Sequence, residues 1–229
     1  ESRYASTDVK HFYGNTFKTG ASYKINENQN VFMNAGILNM APRMDVVFDN
    51  NNNEIKNTRN QHVYAIEGGY NFHNKKFAAN LNAYYTRWDN KPPSSIPQVV
   101  TSDGTLYYNI TGLNALHKGV ELDFIYKFKN KLEIEGLLSW GDWRTTSGST
   151  SNVTDDNGNV VAVIDFSAKN VHVGDAAQIQ TAGSLRYEII KNLYIKGRFT
   201  YFDKNYANFD PTLLTSTNKD RESWRMPSY

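Results

Sequence analysis

The 229-residue chain carries 25 basic and 23 acidic residues, a net charge of +2, and no cysteine. Such a balance, without any basic run, provides no field for recruiting nucleic acid and excludes that partner. The missing thiols remove disulfide frameworks, thiol nucleophiles and thiolate metal sites together.

No stretch approaches the roughly eighteen apolar residues of a transmembrane helix, and the first residues lack a secretion-signal pattern. Aromatic residues are abundant, at 14% with 15 Tyr. Low mean hydropathy suits a soluble protein, but a transmembrane β-barrel hides its lipid face in alternate positions and scores the same way.

Period-two alternation recurs from end to end and predicts a nearly all-β chain with eight strands. In chain order they span 16–25, 30–38, 62–72, 77–88, 117–128, 132–143, 177–188 and 193–202. Each has one apolar parity. The first row runs Phe17, Thr19, Ala21, Tyr23, Ile25; the second Val31, Met33, Ala35, Ile37; the third Tyr64, Ile66, Gly68, Tyr70, Phe72. The fourth holds Phe77, Ala79, Leu81, Ala83, Tyr85, and the fifth Val120, Leu122, Phe124, Tyr126, Phe128. Leu132 to Trp140, Ala177 to Tyr187 and Leu193 to Tyr201 complete the set. These rows contain no charge, whereas the opposite parity carries Lys18, Lys24, Glu67, Glu121, Asp123, Lys127, Glu133, Glu135, Arg186, Lys196 and Arg198.

Short polar turns join the strands in pairs, at "NENQ" (26–29), "HNKK" (73–76), "KNK" (129–131) and "IIKN" (189–192). Long connections near 39–61, 89–116, 144–176 and 203–222 separate the pairs. Two of them carry hairpin signals, Asp103 with Gly104 and Asn157 with Gly158, expected to extend strands beyond the main sheet. All short turns therefore fall at one end and all long loops at the other, as in transmembrane barrels.

A soluble or surface β-sandwich binding module also buries one face. Lipid fits better. The strands match the roughly 9 to 11 residues that cross a bilayer at a tilt. Gly and Ala recur in the middle of the apolar rows, where a close-packed core would be poorly filled. Aromatics gather at strand ends, as in Tyr70 with Phe72, Tyr85 with Trp88, Tyr126 with Phe128, Trp140 with Trp143 and Tyr201 with Phe202, suiting the headgroup boundary. A charge at the midplane of such a face costs about 2 to 4 kcal/mol, so a lipid-facing row must exclude it.

A small independent eight-stranded barrel is one alternative. The ends point instead to a partial barrel over 1–229: residues 1–13 read as the tail of a loop, and "ESWRMPSY" (222–229) as the start of a ninth strand. Open edges are not tolerated in lipid, so further strands are expected from outside this sequence.

"NVFMNAGILNMAPRMDVVF" (30–48), "HVYAIEGGYNF" to "NLNAYYTRW" (62–88), "NALHKGVELDFIYKF" (114–128) and "YFDKNYANFDP" (201–211) together resemble the C-terminal part of the barrel of TonB-dependent outer-membrane receptors. The elements that carry the resemblance are Ala41 with Pro42, then Glu67, Gly69 and Tyr70, then Gly119 to Leu122. The resemblance implies an antiparallel meander of long hairpins within a transporter barrel of about 22 strands with a plugged lumen. It implies a Gram-negative outer membrane, membrane lipid around the wall, and uptake of a scarce nutrient complex of siderophore, haem, cobalamin or glycan type. The remaining strands and plug domain of the same receptor and a TonB complex would be its partners. Neither the plug nor a TonB-contacting segment is present in these residues.

No catalytic, cofactor or metal site is expected, and the chain is not expected to be an enzyme. His11, His62, His73, His117 and His172 are dispersed without ligand spacing and read as loop or rim residues. "DDNG" (155–158) lacks the acidic spacing and distal Glu of a calcium loop and reads as a turn. Glu133 and Glu135 sit among basic residues and are expected to form ion pairs on the lumen wall. Trp143, Arg144, Tyr107 and Tyr108 lie where long loops begin; aromatic girdle or loop packing is favoured for them over ligand contact. Substrate-binding residues are unknown from the sequence.

Overall fold

The computed structural model describes residues 7–49, 52–55, 58–92, 97–110, 112–128, 131–174, 176–207 and 214. The proposed ninth strand at 222–229 lies outside the described residues, as do 129 and 130 of the "KNK" turn. No helix among the described residues is long and apolar enough to cross a membrane; a short 3-10 turn spans Met44–Val46.

The described residues contain twelve strands: β1 (Asn15–Asn26), β2 (Gln29–Met40), β3 (Gln61–His73), β4 (Phe77–Lys91), β5 (Gln98–Thr101), β6 (Gly104–Asn109), β7 (Leu113–Phe128), β8 (Leu132–Thr145), β9 (Gly148–Thr154), β10 (Val160–Ser167), β11 (Ala177–Ile190) and β12 (Leu193–Asn205). Eight form one antiparallel meander in the order β1-β2-β3-β4-β7-β8-β11-β12. All eight expected strands are there, lengthened by one to four residues at one or both ends to between 12 and 16 residues. Ladder hydrogen bonds continue past the apolar rows because each strand keeps a paired neighbour there.

The registers place the apolar rows side by side. Leu81 faces Leu122, Leu122 faces Leu138, and Leu138 faces Thr181. Among the described residues no sheet or helix covers these rows; the main-sheet strands contact chiefly their sheet neighbours. Leu81 is 45% and Ile195 63% exposed, so the sandwich alternative, which requires a facing layer, is overturned. β1 pairs only with β2 and β12 only with β11 among the described residues. An eight-stranded closed barrel would need those two edges joined, and they are not.

Four expectations need correction. The hairpin signals at 98–109 and 148–167 do not extend the main sheet. They form a second sheet of their own, β10-β9-β6-β5, in which β6 and β9 pair through Tyr107↔Thr154 and Asn109↔Asn152. Each hairpin alone is marginal in water, and pairing the two gives both a partner. The second turn is a loop at 155–159 rather than a tight Asn157-Gly158 turn, because the Asp155 carboxylate accepts the N–H groups of Asn157 (2.9 Å) and Asn159 (2.8 Å). Ile189 and Ile190 remain in β11, and the turn is Lys191–Asn192 with Asn192 at φ +68°.

The fourth correction concerns the girdle. Trp88 and Trp143 sit three residues from Tyr85 and Trp140, and an odd spacing on a strand reverses the face. They belong to the polar row.

The hydrophobic core sits at the loop end: Ile110, Leu113, Phe166, Ala168, Val171 and Leu214 cluster there, with Tyr108 packed against them. The main sheet is a wall whose stability comes from ladders and from whatever its apolar face meets. The loops fold on a core of their own.

Candidate functional site at the loop end

The polar row is a hydrogen-bonded charged surface. Asn80 donates to Asp123 at 2.9 Å, Ser139 to Glu121 at 3.3 Å, and Ser184 to Glu135. Lys127 pairs with Glu133 at 3.7 Å and Lys196 with Glu135 at 2.8 Å. Glu133 and Glu135 thus occupy the ion pairs expected from the neighbouring cations, and exposed pairs of this kind contribute little individually.

Towards the loops the polar row turns aromatic. Tyr84 on β4 accepts the Trp143 indole N–H from β8 at 2.8 Å, over the intervening strand β7. Gly119 makes that crossing possible, since a Cβ there would lie 2.5 Å from the Tyr84 hydroxyl. His117 packs against Trp143 with ring centroids 5.7 Å apart.

Above this layer stands the loop sheet. Asp156 ties its two hairpins together by accepting the Thr105 N–H at 2.8 Å and the Tyr107 hydroxyl at 3.2 Å. Asn109 donates to Thr154 in a buried contact at 3.0 Å. The β2–β3 connection reaches the same place: a Cβ added at Gly158 would collide with Asn53. Three loops that are far apart in sequence therefore converge on one outer surface.

The third feature is a cleft of about 490 Å³ where β8 and β11 separate. Their ladder ends at Trp140↔Ile179 although β8 continues to Thr145. Gln178, 2% exposed, takes over with its side-chain amide: it accepts from Trp143 N at 3.2 Å and donates to Trp143 O at 3.1 Å and Val173 O at 3.3 Å. The cleft is lined by Lys118, Trp140, Asp142, Arg144, His172 and Lys204, among others. Asp142 holds two cations at once, Arg144 at 2.7 Å and Lys118 at 3.4 Å. His172, 8% exposed, stacks on Tyr206 at 3.9 Å.

The four residues singled out at loop starts are each engaged within the chain. Trp143 binds Tyr84, Arg144 binds Asp142 and the Asn170 carbonyl, Tyr107 binds Asp156, and Tyr108 packs on the loop core. Sequence reasoning missed Gln178 and Asp156, because their partners lie 35 and about 50 residues away and nothing in the local pattern marks them. No group of three metal-ligating side chains occurs among the described residues. What the arrangement offers is a hydrogen-bonded loop surface of aromatic, amide and charged groups on a wall with one apolar side.

The sequence profile of the family described as TonB dependent receptor-like, beta-barrel matches residues 2–229. No curated protein matches the sequence. Among solved structures, the FrpB iron transporter from Neisseria meningitidis (F3-3 variant) resembles this chain with a TM-score of 0.54 at 16% identity, over 83% of the chain. That likeness shows the fold. The chain spans 26% of the length of that transporter's chain.

Proposed function

The chain belongs to the TonB-dependent receptor-like β-barrel family, and from that premise we propose that it supplies part of the wall and the outer loops of a receptor that imports a scarce nutrient complex across the outer membrane of a Gram-negative bacterium. The observation that carries this reading is the partition of one open meander into an uncovered apolar row and a hydrogen-bonded charged row, with both outer edges unpaired among the described residues. A wall of this kind has lipid on one side and a polar lumen on the other, and its edges require further strands. The remaining strands, a plug domain and the TonB complex are the partners in this reading. The ligand is an extracellular small molecule or glycan of siderophore, haem, cobalamin or oligosaccharide type, met by the loop surface of Asp156, Tyr107 and their neighbours.

The test is uptake by cells with and without the receptor that contains this chain, supplied in turn with labelled ferric siderophore, haem, cobalamin and oligosaccharides. Loss of uptake for one class, abolished in receptor-bearing cells by a protonophore or by removal of TonB, is the expected result. Uptake that persists in de-energised cells would indicate a passive pore, and unchanged uptake of every class would refute the import role.

A further inference from the structure

The two hairpins of the loop sheet, residues 97–110 and 148–167, contain Asp103, Asp155, Asp156 and Asp165 and no lysine, arginine or histidine. The chain as a whole carries a net charge of +2, so this sheet is an acidic outcrop on a basic remainder. Among the described residues Asp103 accepts from Ser102, Asp155 from Asn157 and Asn159, and Asp165 from Thr150, all of them neutral donors.

One edge of the sheet is open. β10 stands at the end of the order β10-β9-β6-β5 and keeps a regular register on β9 from Ala162↔Val153 to Ser167↔Gly148. The Ser167 N–H turns away from β9 and donates to the Leu214 carbonyl at 2.8 Å. In an antiparallel ladder alternate residues point to the same edge, so the N–H and C=O groups of Asp165 and Val163 also point outward. They meet no partner among the described residues. The side chains along this edge are apolar and exposed, Val160 at 56%, Val161 at 53% and Val163 at 63%. Unmet backbone groups beside uncharged β-branched residues form a template for another strand, and edges that remain alone commonly carry Lys or Pro. β10 has neither. A second copy of this sheet would bring its own aspartates to the contact, and like charges across an interface are costly. A cationic strand meets no such penalty.

We propose that β10 is a docking edge for an extended cationic segment of another protein, which adds to the four-stranded loop sheet as one further strand. Main-chain bonds to Val163 and Asp165 hold the segment. Residues two apart on its exposed face read the edge, an apolar side chain beside Val163 and a Lys or Arg beside Asp165. The site goes beyond nutrient import, because the loop hairpins alone build it and it does not depend on which face of the main sheet meets lipid.

The test titrates the intact receptor, in phosphatidylcholine nanodiscs, into a fluorescein-labelled peptide Val-Thr-Lys-Thr-Val-Thr-Lys and reads anisotropy against empty nanodiscs. Saturable binding is expected. It should weaken several-fold for the same peptide with Glu in place of Lys, and for the peptide N-methylated at every amide. It should weaken likewise for the receptor variants Val163→Pro, which lacks the outward N–H, and Asp165→Asn, which keeps an acceptor for Thr150 but not the charge. Glu121→Gln, an acid of the main sheet, should leave it unchanged. Equal binding of the N-methylated peptide would show charge attraction without strand addition and overturn the docking edge. Equal binding by Asp165→Asn, or no binding to the wild type, would overturn it too. Receptor dimers that form without peptide and vanish in Val163→Pro would make a second copy the occupant instead. Where Val163→Pro loses the loop sheet, seen as lost hydrogen-exchange protection at the Thr105 amide, the N-methylated peptide on the wild-type receptor decides.

Discussion

The Trp143 indole donates to the Tyr84 hydroxyl at 2.8 Å across β7, a strand to which neither residue belongs. Tyr84 is paired with Gly119, and Gly119 with Gly141, so the bond passes over two positions without side chains. A Cβ at Gly119 would meet both the Tyr84 hydroxyl and, at 2.7 Å, the Trp140 carbonyl. The backbone contact cannot be relieved by a rotamer change. Gly119→Ala is expected to destabilise the receptor by about 1 to 3 kcal/mol, whereas Tyr84→Phe, which only removes the acceptor, costs about 1 kcal/mol. Urea unfolding in lipid or detergent with tryptophan fluorescence measures both.

Leu137 and Leu138 are adjacent on β8 and equally exposed, at 44% and 45%, yet they lie on opposite faces. Leu138 stands beside Leu122 in the apolar row and Leu137 beside Asp123 in the polar row. Leu138→Arg is expected to cost about 2 to 4 kcal/mol through transfer of a charge into hydrocarbon. Leu137→Arg meets an acidic neighbour and should assemble close to wild-type levels. The ratio of folded receptor recovered from outer membranes separates the two, and equal loss would refute the assignment of faces.

Asp156 joins two hairpins through the Thr105 N–H and the Tyr107 hydroxyl. Asp156→Ala leaves both donors to water, with an expected loss of about 1 to 2 kcal/mol from the loop sheet. Both donors, Thr105 and Tyr107, belong to β6 of the loop sheet and not to the main sheet. Hydrogen exchange should therefore accelerate at the Thr105 amide and along β5 and β6 while protection along β7 and β11 is unchanged.

Gly158 sits at φ +81° with Asn53 against it. An alanine there adopts a left-handed conformation at a cost of about 1 to 2 kcal/mol and also displaces Asn53. Gly158→Ala is expected to raise protease sensitivity at both the 155–159 turn and the β2–β3 connection, although these are about 100 residues apart. Cleavage confined to the mutated turn would contradict the contact.

The side-chain amide and backbone N–H of Asn159, then the backbone N–H groups of Asn157 and Gly158, hold the Asp155 carboxylate below its usual range despite an opposing effect of desolvation. A carboxylate depressed on folding contributes stability that is complete above its unfolded value of about 3.9 and is lost as pH falls through the lower folded value. The loop turn should thus stay ordered at pH 5 and loosen only in strong acid. Asp155→Asn removes this pH dependence, and carboxyl chemical shifts in the intact receptor report the titration directly.

Alternation by itself determined the eight main strands, their two faces and the separation of short turns from long loops, because on a strand each side chain's face follows from its parity alone. Lipid demands that one row exclude charge, so the pattern was written where it was easiest to read. The tertiary structure alone decided how the long connections fold. The pairing of β6 with β9, the Asp156 clasp, the Gln178 amide that replaces a ladder, and the bond between Trp143 and Tyr84 all join residues more than 30 positions apart. Their cause is spatial adjacency set by the main sheet, which periodicity within one strand does not encode. The same limit misplaced Trp143: counting aromatics near strand ends located it at the rim, and only its odd spacing from Trp140, realised as a bond over Gly119, put it on the polar side.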